Sequence, residues 1–141
     1  GGINFIKGGR HVDFRGKIDY FNEFDLEGIR RFYAIEHDEV TAIRAWQGHQ
    51  KERKWFFVTL GAFKFVLVKP DNWHKPSIEL PYQEFTLSEK ENKVLCIPGG
   101  YVSGFQALEQ NSKMIVFSDF SLEESKNDDF RFDMSLWYKW Q

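Results

Sequence analysis

Short apolar segments that end at turn-forming residues are the feature that most constrains what this chain can fold into. The strongest is Trp55–Leu60, followed by Gly61 and Ala62 and then by Phe63–Val68. Both runs are apolar enough to be buried on two faces, and Gly61 lies where a bulge or bend would separate two strands. Short length and aromatic content indicate strands rather than helices. Further strands are predicted at residues 18–24, 31–36, 41–50, 84–88, 93–97, 101–108 and 113–120.

The residues between these segments indicate how the strands are joined. Pro98, Gly99 and Gly100 end the strand at 93–97, and the two strands that follow are predicted to form a hairpin around Asn111–Ser112. Ser121–Glu124 has the spacing of a capping box and predicts one short helix. About eight strands with so little helix predict an all-β sandwich or closed barrel. Periodicity leaves an up-and-down ligand-binding barrel open as an alternative.

Composition agrees with this class and excludes several partners. The 141 residues include 15 Phe, 5 Tyr and 5 Trp, and aromatic side chains pack well on pleated sheets. The 19 basic and 21 acidic residues nearly cancel, which gives a formal net charge of -2. No long basic run occurs, so we expect no nucleic-acid partner and no charge-driven membrane binding.

Cysteine use and hydropathy bear on the compartment. Cys96 is the one cysteine and cannot form an internal disulfide, which favours a reducing, cytoplasmic location and a small buried core side chain. No stretch approaches the roughly 20 apolar residues of a membrane span. Residues 1–4 also lack the basic and apolar regions of a signal peptide.

Four motifs occur in a fixed order along the chain. An acidic-x-Arg-Gly turn leads into a strand with an aromatic-Asn pair, and a later strand begins with Arg and ends with His and Gln. A Pro-Gly-Gly-aromatic segment follows, and then a Ser-Asp pair with an Arg-aromatic-Asp group. These motifs are Asp13–Gly16 with Phe21–Phe24, Arg44–Gln50, Ile97–Phe105, and Ser118–Asp119 with Phe130–Asp133. In this order they resemble the dTDP-4-dehydrorhamnose 3,5-epimerases and the related dTDP-sugar 3,4-ketoisomerases.

The resemblance implies a fold, a ligand and an assembly. The implied fold is the double-stranded β-helix of the cupins, a jelly-roll-like all-β barrel formed by residues 1–141 as a single domain. The ligand in the barrel mouth would be a nucleotide sugar of the dTDP-4-keto-6-deoxysugar class, and no cofactor would be needed. The family is usually homodimeric through exchange of N-terminal strands and serves polysaccharide biosynthesis.

Such an isomerase or epimerase removes a proton from a carbon next to a ketone. This step needs a base with a pKa near neutrality, a donor for the enolate oxygen, and an acid that returns the proton. By resemblance, the position of the epimerase base holds Gln47 and the position of the acid holds Ile115. A neutral amide cannot accept a proton near pH 7, and an alkyl side chain has none to give.

The binding positions match the family better than the catalytic ones. By resemblance, Arg15 and Arg44 would bind the diphosphate, Lys54 would stabilise the enolate, and Gln47 would hydrogen-bond the sugar. The alternative for Lys54 is a solvated turn at residues 51–54. Arg44 and Gln47 have opposite parity, so both can face one pocket only if the strand bulges or Arg44 reaches around.

His49 is a candidate for a relocated base. It lies two residues beyond Gln47, so both side chains point the same way on a regular strand, and the ketoisomerases carry a second His there. Tyr33, in a segment that resembles the ketoisomerases' Arg-Val-Tyr, or Tyr101 would donate the proton, and Tyr101 is also a candidate for substrate binding. An ordinary hydrogen-bonded histidine is the alternative for His49.

Other residues have simpler interpretations. Trp46 fits either a core position or stacking on a sugar or base. A metal-binding cupin would need further histidines where Gln47 and Ser103 stand, so no metal is expected. Three histidines lack the spacing of ligands and are expected at the surface: His11, His37 and His74.

Two functions from different classes therefore stay open. The first is a nucleotide-sugar epimerase or ketoisomerase homologue whose catalytic residues are His49, Lys54 and Tyr33. The second is a catalytically inactive cupin that binds a nucleotide sugar or glycan. A carrier of an apolar ligand is a third, favoured only by the aromatic content.

Overall fold

The computed structural model describes residues 2–141, and its regular structure is almost entirely antiparallel sheet. Those residues form twelve strands and one short helix. In chain order the strands are β1 (Asn4–Lys7), β2 (Gly9–Asp13), β3 (Gly16–Tyr20), β4 (Arg31–His37), β5 (Ile43–His49), β6 (Lys54–Leu60), β7 (Ala62–Val68), β8 (Tyr82–Ser88), β9 (Lys93–Ile97), β10 (Tyr101–Ala107), β11 (Ser112–Ser118) and β12 (Phe130–Arg131). Helix α1 (Leu122–Lys126) lies between β11 and β12.

Ten strands form two five-stranded sheets. The first sheet has the order β1-β9-β6-β11-β4 and the second β12-β5-β10-β7-β8, while β2 and β3 form a separate two-stranded sheet. The strand pairs are antiparallel. Most neighbours in a sheet are not consecutive in the sequence, so the chain crosses repeatedly between the sheets, as in a jelly roll. An up-and-down barrel would pair consecutive strands and is therefore excluded.

The apolar faces of the two sheets meet in an aromatic core. Phe56 of β6 and Phe65 of β7 come from different sheets, and their ring centroids are 5.1 Å apart. Phe105 of β10 packs against Phe65 at 5.6 Å. Alternation along β6 places Phe56 and Val58 in this core, as the apolar pattern predicts.

Gly61 turns the chain from the first sheet into the second, which confirms the predicted bend. Its φ is +73°, in the region that favours glycine. A Cβ at this position would collide with the side chain of Ser112, whose hydroxyl accepts a hydrogen bond from the Ala62 N–H at 3.1 Å. Both conformation and space therefore require glycine at this corner.

Two predictions about strand pairing and length are wrong. Residues 101–108 and 113–120 do not form a hairpin, because β10 pairs with β5 and β7 and β11 pairs with β4 and β6. Each strand is already flanked on both sides, so the turn at Asn111 carries the chain between sheets. The strand predicted at 18–24 ends at Tyr20, and Phe24 instead packs on Phe117 of the first sheet at 5.3 Å.

The remaining predicted elements agree with the structure to within two residues. Ser121 caps α1 in a reciprocal capping box with Glu124, as predicted. Cys96 is a buried free thiol. Trp46 is only 1% exposed and belongs to a second apolar cluster, so the core interpretation of this residue holds. Within residues 2–141, no helix has the length and apolarity to cross a membrane.

Candidate functional site

A cavity of about 730 Å³ lies between the two sheets, where β4, β5 and the start of β6 face each other. Its wall includes four residues predicted from the sequence: Tyr33 of β4, Arg44 and Gln47 of β5, and Lys54 of β6. Side chains alternate between the two faces of each strand. Alternation along β4 directs Tyr33 and Ile35 inward, and alternation along β6 directs Lys54 and Phe56 inward. The sequence therefore brings polar groups from three strands to one end of the barrel.

A bulge in β5 allows Arg44 and Gln47 to line the same cavity. Ser103 of β10 lies opposite Gln47, and Phe105 lies opposite Arg44. Three steps along β5 thus correspond to two steps along β10, which leaves one extra residue on β5. The extra residue reverses the alternation between Arg44 and Gln47, as the cavity requires.

Lys54 and Tyr33 form a hydrogen-bonded pair in this cavity. Lys54 is 7% exposed, so the interpretation as a solvated turn is wrong for this residue. Its ammonium donates to the Tyr33 hydroxyl at 3.0 Å. Because the phenolic oxygen is the acceptor, the phenolic proton stays available for a bound molecule.

Positive charge exceeds negative charge around the cavity. Its charged lining residues are Arg31, Glu36, Arg44, Lys54, Lys126, Asp129 and Arg131. Arg31 pairs with Glu52 at 3.1 Å and Arg131 with Asp129 at 2.8 Å. Arg44, Lys54 and Lys126 form no ion pair with any residue in the described range 2–141. These unpaired cations attract an anion.

Arg44 is held by a histidine that the sequence analysis placed at the surface. Nε of Arg44 donates to Nε2 of His37 at 3.0 Å. His37 is 3% exposed, so the surface prediction is wrong, because β4 alternation points its last residue into the barrel. Burial and then the charge of Arg44 lower the pKa of His37 below 6.5. His11 and His74 are exposed, as expected.

His49 lies in a small recess beside the main cavity. Lys54, Phe56 and Ser103 line both spaces, and Tyr101 lines the recess with His49. Nδ1 of His49 lies 2.7 Å from the Asp128 carbonyl oxygen. A carbonyl only accepts hydrogen bonds, so Nδ1 carries the proton and Nε2 of the neutral ring is unprotonated.

The surroundings of His49 favour its neutral form. Burial is the largest cause, and the charge of Lys54 is the next; together they lower the pKa of His49 below 6.5. His49 is 8% exposed. At pH 7 the ring is therefore neutral and can accept a proton at Nε2.

Two buried carboxylates behind His49 were missed by the sequence analysis. Glu52 accepts from Ser118 Oγ at 2.6 Å and Ser125 Oγ at 2.7 Å, and its carboxylate lies 3.4 Å from His49 Nδ1. Asp128 accepts the backbone N–H groups of residues 50–52 at 2.8–2.9 Å. These contacts fix the loop after β5. Glu52 lies within a charged run, so the sequence alone suggests that it is exposed. Ser118 belongs to the Ser-Asp motif, and this motif could have indicated a buried polar contact near the site.

Gln47 faces the cavity, but its side-chain amide is already hydrogen-bonded to another side chain. Its amide nitrogen donates to Asp129 Oδ1 at 3.0 Å, and the same oxygen accepts from Arg131 Nε at 2.8 Å. This polar chain borders the cavity where β12 pairs with β5. Of its members, only Gln47 was predicted as a site residue.

Ile115 lies on the outer face of its strand, away from the cavity. It pairs with Ala34 and Phe57 on the outer face of the first sheet. The core residues of β11 are its neighbours, Met114 and Val116. Ile115 therefore does not face the cavity, and its alignment with the family's acid stays a prediction.

Arg15 is not brought to the cavity of its own chain. It lies in the exposed turn between β2 and β3, where its guanidinium pairs with Asp13 at 2.7 Å. That turn lines a separate shallow depression with His11 and Lys17. Within residues 2–141, no group of three or more His, Cys, Asp or Glu side chains is placed to hold a metal ion.

The fold is shared with solved structures of dTDP-sugar enzymes. A dTDP sugar isomerase from Desulfovibrio desulfuricans has a TM-score of 0.76 and 18% identity, covering 99% of this chain and 90% of that one. The dTDP-4-dehydrorhamnose 3,5-epimerase of Bacillus anthracis, with TDP and PPi bound, has a TM-score of 0.72 and 17% identity over 98% of this chain and 84% of that one.

A mutant of the 3,4-ketoisomerase QdtA from Thermoanaerobacterium thermosaccharolyticum, in complex with TDP-4-keto-6-deoxyglucose, has a TM-score of 0.72 and 18% identity. It covers 93% of this chain and 88% of that one. No protein-family model and no curated protein matches the sequence. The chain therefore has the all-β, cupin-like fold of the dTDP-sugar epimerases and ketoisomerases.

Proposed function

We propose that this chain is a nucleotide-sugar isomerase that enolises a dTDP-4-keto-6-deoxysugar, as a 3,5-epimerase or a 3,4-ketoisomerase. The observation that carries the proposal is the contact of His49 Nδ1 with the Asp128 carbonyl oxygen at 2.7 Å, from which we infer that Nε2 of the neutral ring is the basic nitrogen. His49 lies in a recess that shares Lys54 with the cationic cavity. A base, an oxyanion donor and an anion site are the three parts that enolisation of a nucleotide sugar needs. Structures of the same fold with TDP or TDP-4-keto-6-deoxyglucose bound support this ligand class.

The proposed ligand is held by its charge and its sugar hydroxyl groups. Arg44 and Lys126, which have no carboxylate partner within residues 2–141, bind the diphosphate. Gln47 and the Asp129–Arg131 pair offer donors and acceptors to the sugar. A cavity of about 730 Å³ lies within the usual range for small-molecule sites.

The chemical step moves one proton and one electron pair. Nε2 of His49 takes the proton from the carbon next to the ketone, and the C–H electron pair forms the enolate. The ammonium of Lys54 stabilises the charge on the enolate oxygen. Tyr33, whose oxygen accepts from Lys54, has its phenolic proton free to return to the sugar.

The carbon that receives the proton decides the product. Return to the original carbon from the opposite face inverts it, which is epimerisation. In 3,4-isomerisation C3 loses its proton and C4 gains one, and the proton of the C3 hydroxyl passes to the C4 oxygen, so that C3 becomes the ketone and C4 carries the hydroxyl. Both outcomes balance without a cofactor or a metal.

A binding-only cupin is the second candidate, and the location of His49 favours it. The imidazole lies in the recess and is not part of the main cavity lining. Gln47, at the position of the epimerase base, is a neutral amide bonded to Asp129. In this alternative the cavity binds a nucleotide sugar or glycan and no proton is transferred.

Incubation with dTDP-4-keto-6-deoxyglucose in heavy water separates the two candidates. NMR would follow the sugar proton signals at C3 and C5. Loss of the C3 signal above the enzyme-free rate is the expected result, and loss at C5 as well identifies a 3,5-epimerase. Unchanged signals with ligand line-broadening would establish the binding-only cupin, and no response at all would reject the ligand class.

We propose further that the protein is a homodimer. The β2–β3 hairpin exposes large apolar residues, with Phe14 at 96%, Val12 at 67% and Ile18 at 60%. A second copy would cover them, and it could bring its own Arg15 to the cavity. Sedimentation equilibrium is expected to give twice the mass of the chain, and a monomer at micromolar concentration would contradict the dimer. The cytoplasmic location, the single-domain organisation of residues 1–141 and a role in polysaccharide biosynthesis stay predictions.

A further inference from the structure

His37 and Arg44 form a contact that packing alone does not explain. The His37 ring lies 5.4 Å from the Phe63 ring and 5.5 Å from the Phe105 ring, measured between centroids. An apolar ring would fill this space without burying two nitrogen atoms. Nδ1 makes no hydrogen bond of ordinary geometry within residues 2–141, and the Ala42 backbone beside the ring acts only to raise the pKa of His37 against the larger effect of burial, whereas Nε2 accepts from Arg44. The polar role of the buried ring is therefore directed at Arg44.

The contact leaves the rest of the Arg44 guanidinium free. Nε donates to His37, and the two terminal nitrogens have no partner among the described residues, 2–141. Arg44 lines the cavity, so these terminal groups are available to an anion there. Anchoring Nε restricts the rotamers of a flexible side chain before the ligand arrives, which reduces the entropy cost of binding.

We propose that His37 is a positioning residue that holds Arg44 toward the ligand diphosphate, and that protonation of His37 releases Arg44. The inference rests on the proposed function, because it assigns Arg44 to the diphosphate. A neutral histidine can accept the Arg44 hydrogen bond, whereas an imidazolium has only donors and repels the guanidinium. An acidic partner at position 37 would hold Arg44 at any pH near neutrality. With histidine at this position, the contact depends on pH.

Few charged groups bear on the His37 ring. Arg44 approaches from β5, and Asp38 in the turn after β4 contributes a weaker opposite charge. The strands β7 and β10 present Phe63 and Phe105 to the ring, and β11 presents Ser112 beside it. None of these three titrates near neutral pH. Since burial and Arg44 lower the pKa of His37, the release is expected below pH 6.5.

The first test uses the ligand-free protein and NMR of the arginine side chains. Hydrogen exchange of the Arg44 Nε–H is expected to be slow at pH 7.5 and faster at pH 5.5. In the His37→Phe variant, which keeps the ring but removes the acceptor, exchange is expected to be fast at both pH values. The His37→Gln variant, which keeps an acceptor that does not titrate, should be slow at both. Equal exchange in all three proteins would overturn the proposal.

The second test measures the Kd of dTDP-glucose by calorimetry. The diphosphate of this probe is esterified at both ends, so each phosphate keeps only one strongly acidic oxygen, which stays ionised between pH 5.5 and 7.5. At pH 7.5 we expect His37→Phe to weaken binding about fivefold to tenfold, the usual effect of one hydrogen bond. Acidification should weaken binding by the wild type and leave His37→Gln unchanged.

The outcomes separate this inference from the proposed function. Binding that weakens in an Arg44→Ala variant but not in His37→Phe would overturn the positioning role and leave the function standing. Wild-type protein that binds no dTDP-glucose at pH 7.5 would overturn the proposed function and this inference with it. Rescue by His37→Gln, together with loss of the pH dependence, is the result that the proposal predicts.

Discussion

At the scale of single residues, the buried Glu52 carboxylate is the polar group on which the site depends most. Its side chain is fully buried, and it contacts Arg31, Ser118, Ser125 and His49. It therefore links β4, β11 and α1 to His49 and to the loop that follows β5. Removal of one member of a buried ion pair leaves the other charge without compensation.

The Glu52→Ala variant is accordingly expected to lose about 3–5 kcal/mol of unfolding free energy, measured by urea denaturation at pH 7.5. Glu109→Ala is the matched control, because Glu109 is exposed and exposed charges contribute little. Similar midpoints for the two variants would contradict the account of Glu52.

The burial of Glu52 could not be predicted from the sequence. Four predicted site residues line the cavity. Alternation along β4 and β6 directs Tyr33 and Lys54 there, whereas Arg44 and Gln47 share it only because β5 bulges. Glu52 and His37 were not predicted, because their burial depends on contacts from other strands and from α1. A glutamate between basic neighbours and a histidine at the end of a strand look exposed until those elements are in place.

At the scale of elements, Gly61 makes the corner where β6 of one sheet continues as β7 of the other. Gly61→Ala is expected to be destabilising by more than about 2 kcal/mol, since it adds a clash with Ser112 to the cost of a left-handed backbone. Gly28→Ala is the matched control: φ is +87° there, but no atom lies within 4 Å of the added Cβ. A larger fall in the thermal unfolding midpoint for Gly28→Ala than for Gly61→Ala would contradict the requirement for glycine at the β6–β7 corner.

The positions of β3 to β11 were largely predictable, whereas β1, β2 and β12 and the strand pairing were not. The apolar segments gave β6, β7 and β9 within a residue or two, because each strand is fixed by its own local pattern. The hairpin predicted from β10 to β11 was wrong, because the partners of a central strand come from distant parts of the chain. The bulge in β5 depends in the same way on β10, so sequence parity alone could not place Arg44 beside Gln47.

At the scale of the whole molecule, two buried histidines couple stability to pH. The pKa values of His37 and His49 are lowered below 6.5 in the folded protein, whereas both side chains titrate near 6.5 in the unfolded chain. Between those values the unfolded state binds more protons, so stability rises with pH. The contribution is complete above pH 6.5 and is lost as the pH falls toward the folded pKa values.

Urea denaturation at intervals from pH 8 to pH 5 measures this coupling. The unfolding free energy is expected to be nearly constant above pH 7 and to fall below pH 6.5, by up to about 1.4 kcal/mol per pH unit for each histidine. The His37→Gln, His49→Gln double variant should lose most of that slope. A wild-type curve that is flat from pH 8 to pH 5 would show that neither ring is held neutral by folding.

We propose that this cupin-like barrel enolises its ligand through His49, although Gln47 stands at the base position that the resemblance to the epimerases implies. The most direct measurement compares the wild type with His49→Gln for deuterium incorporation at C3 of dTDP-4-keto-6-deoxyglucose, with the Kd of dTDP-glucose measured for both. We expect incorporation by the wild type, a loss of about 10²–10⁴-fold in the variant, and similar affinities. Equal rates in the two proteins, or incorporation by neither, would contradict this proposal.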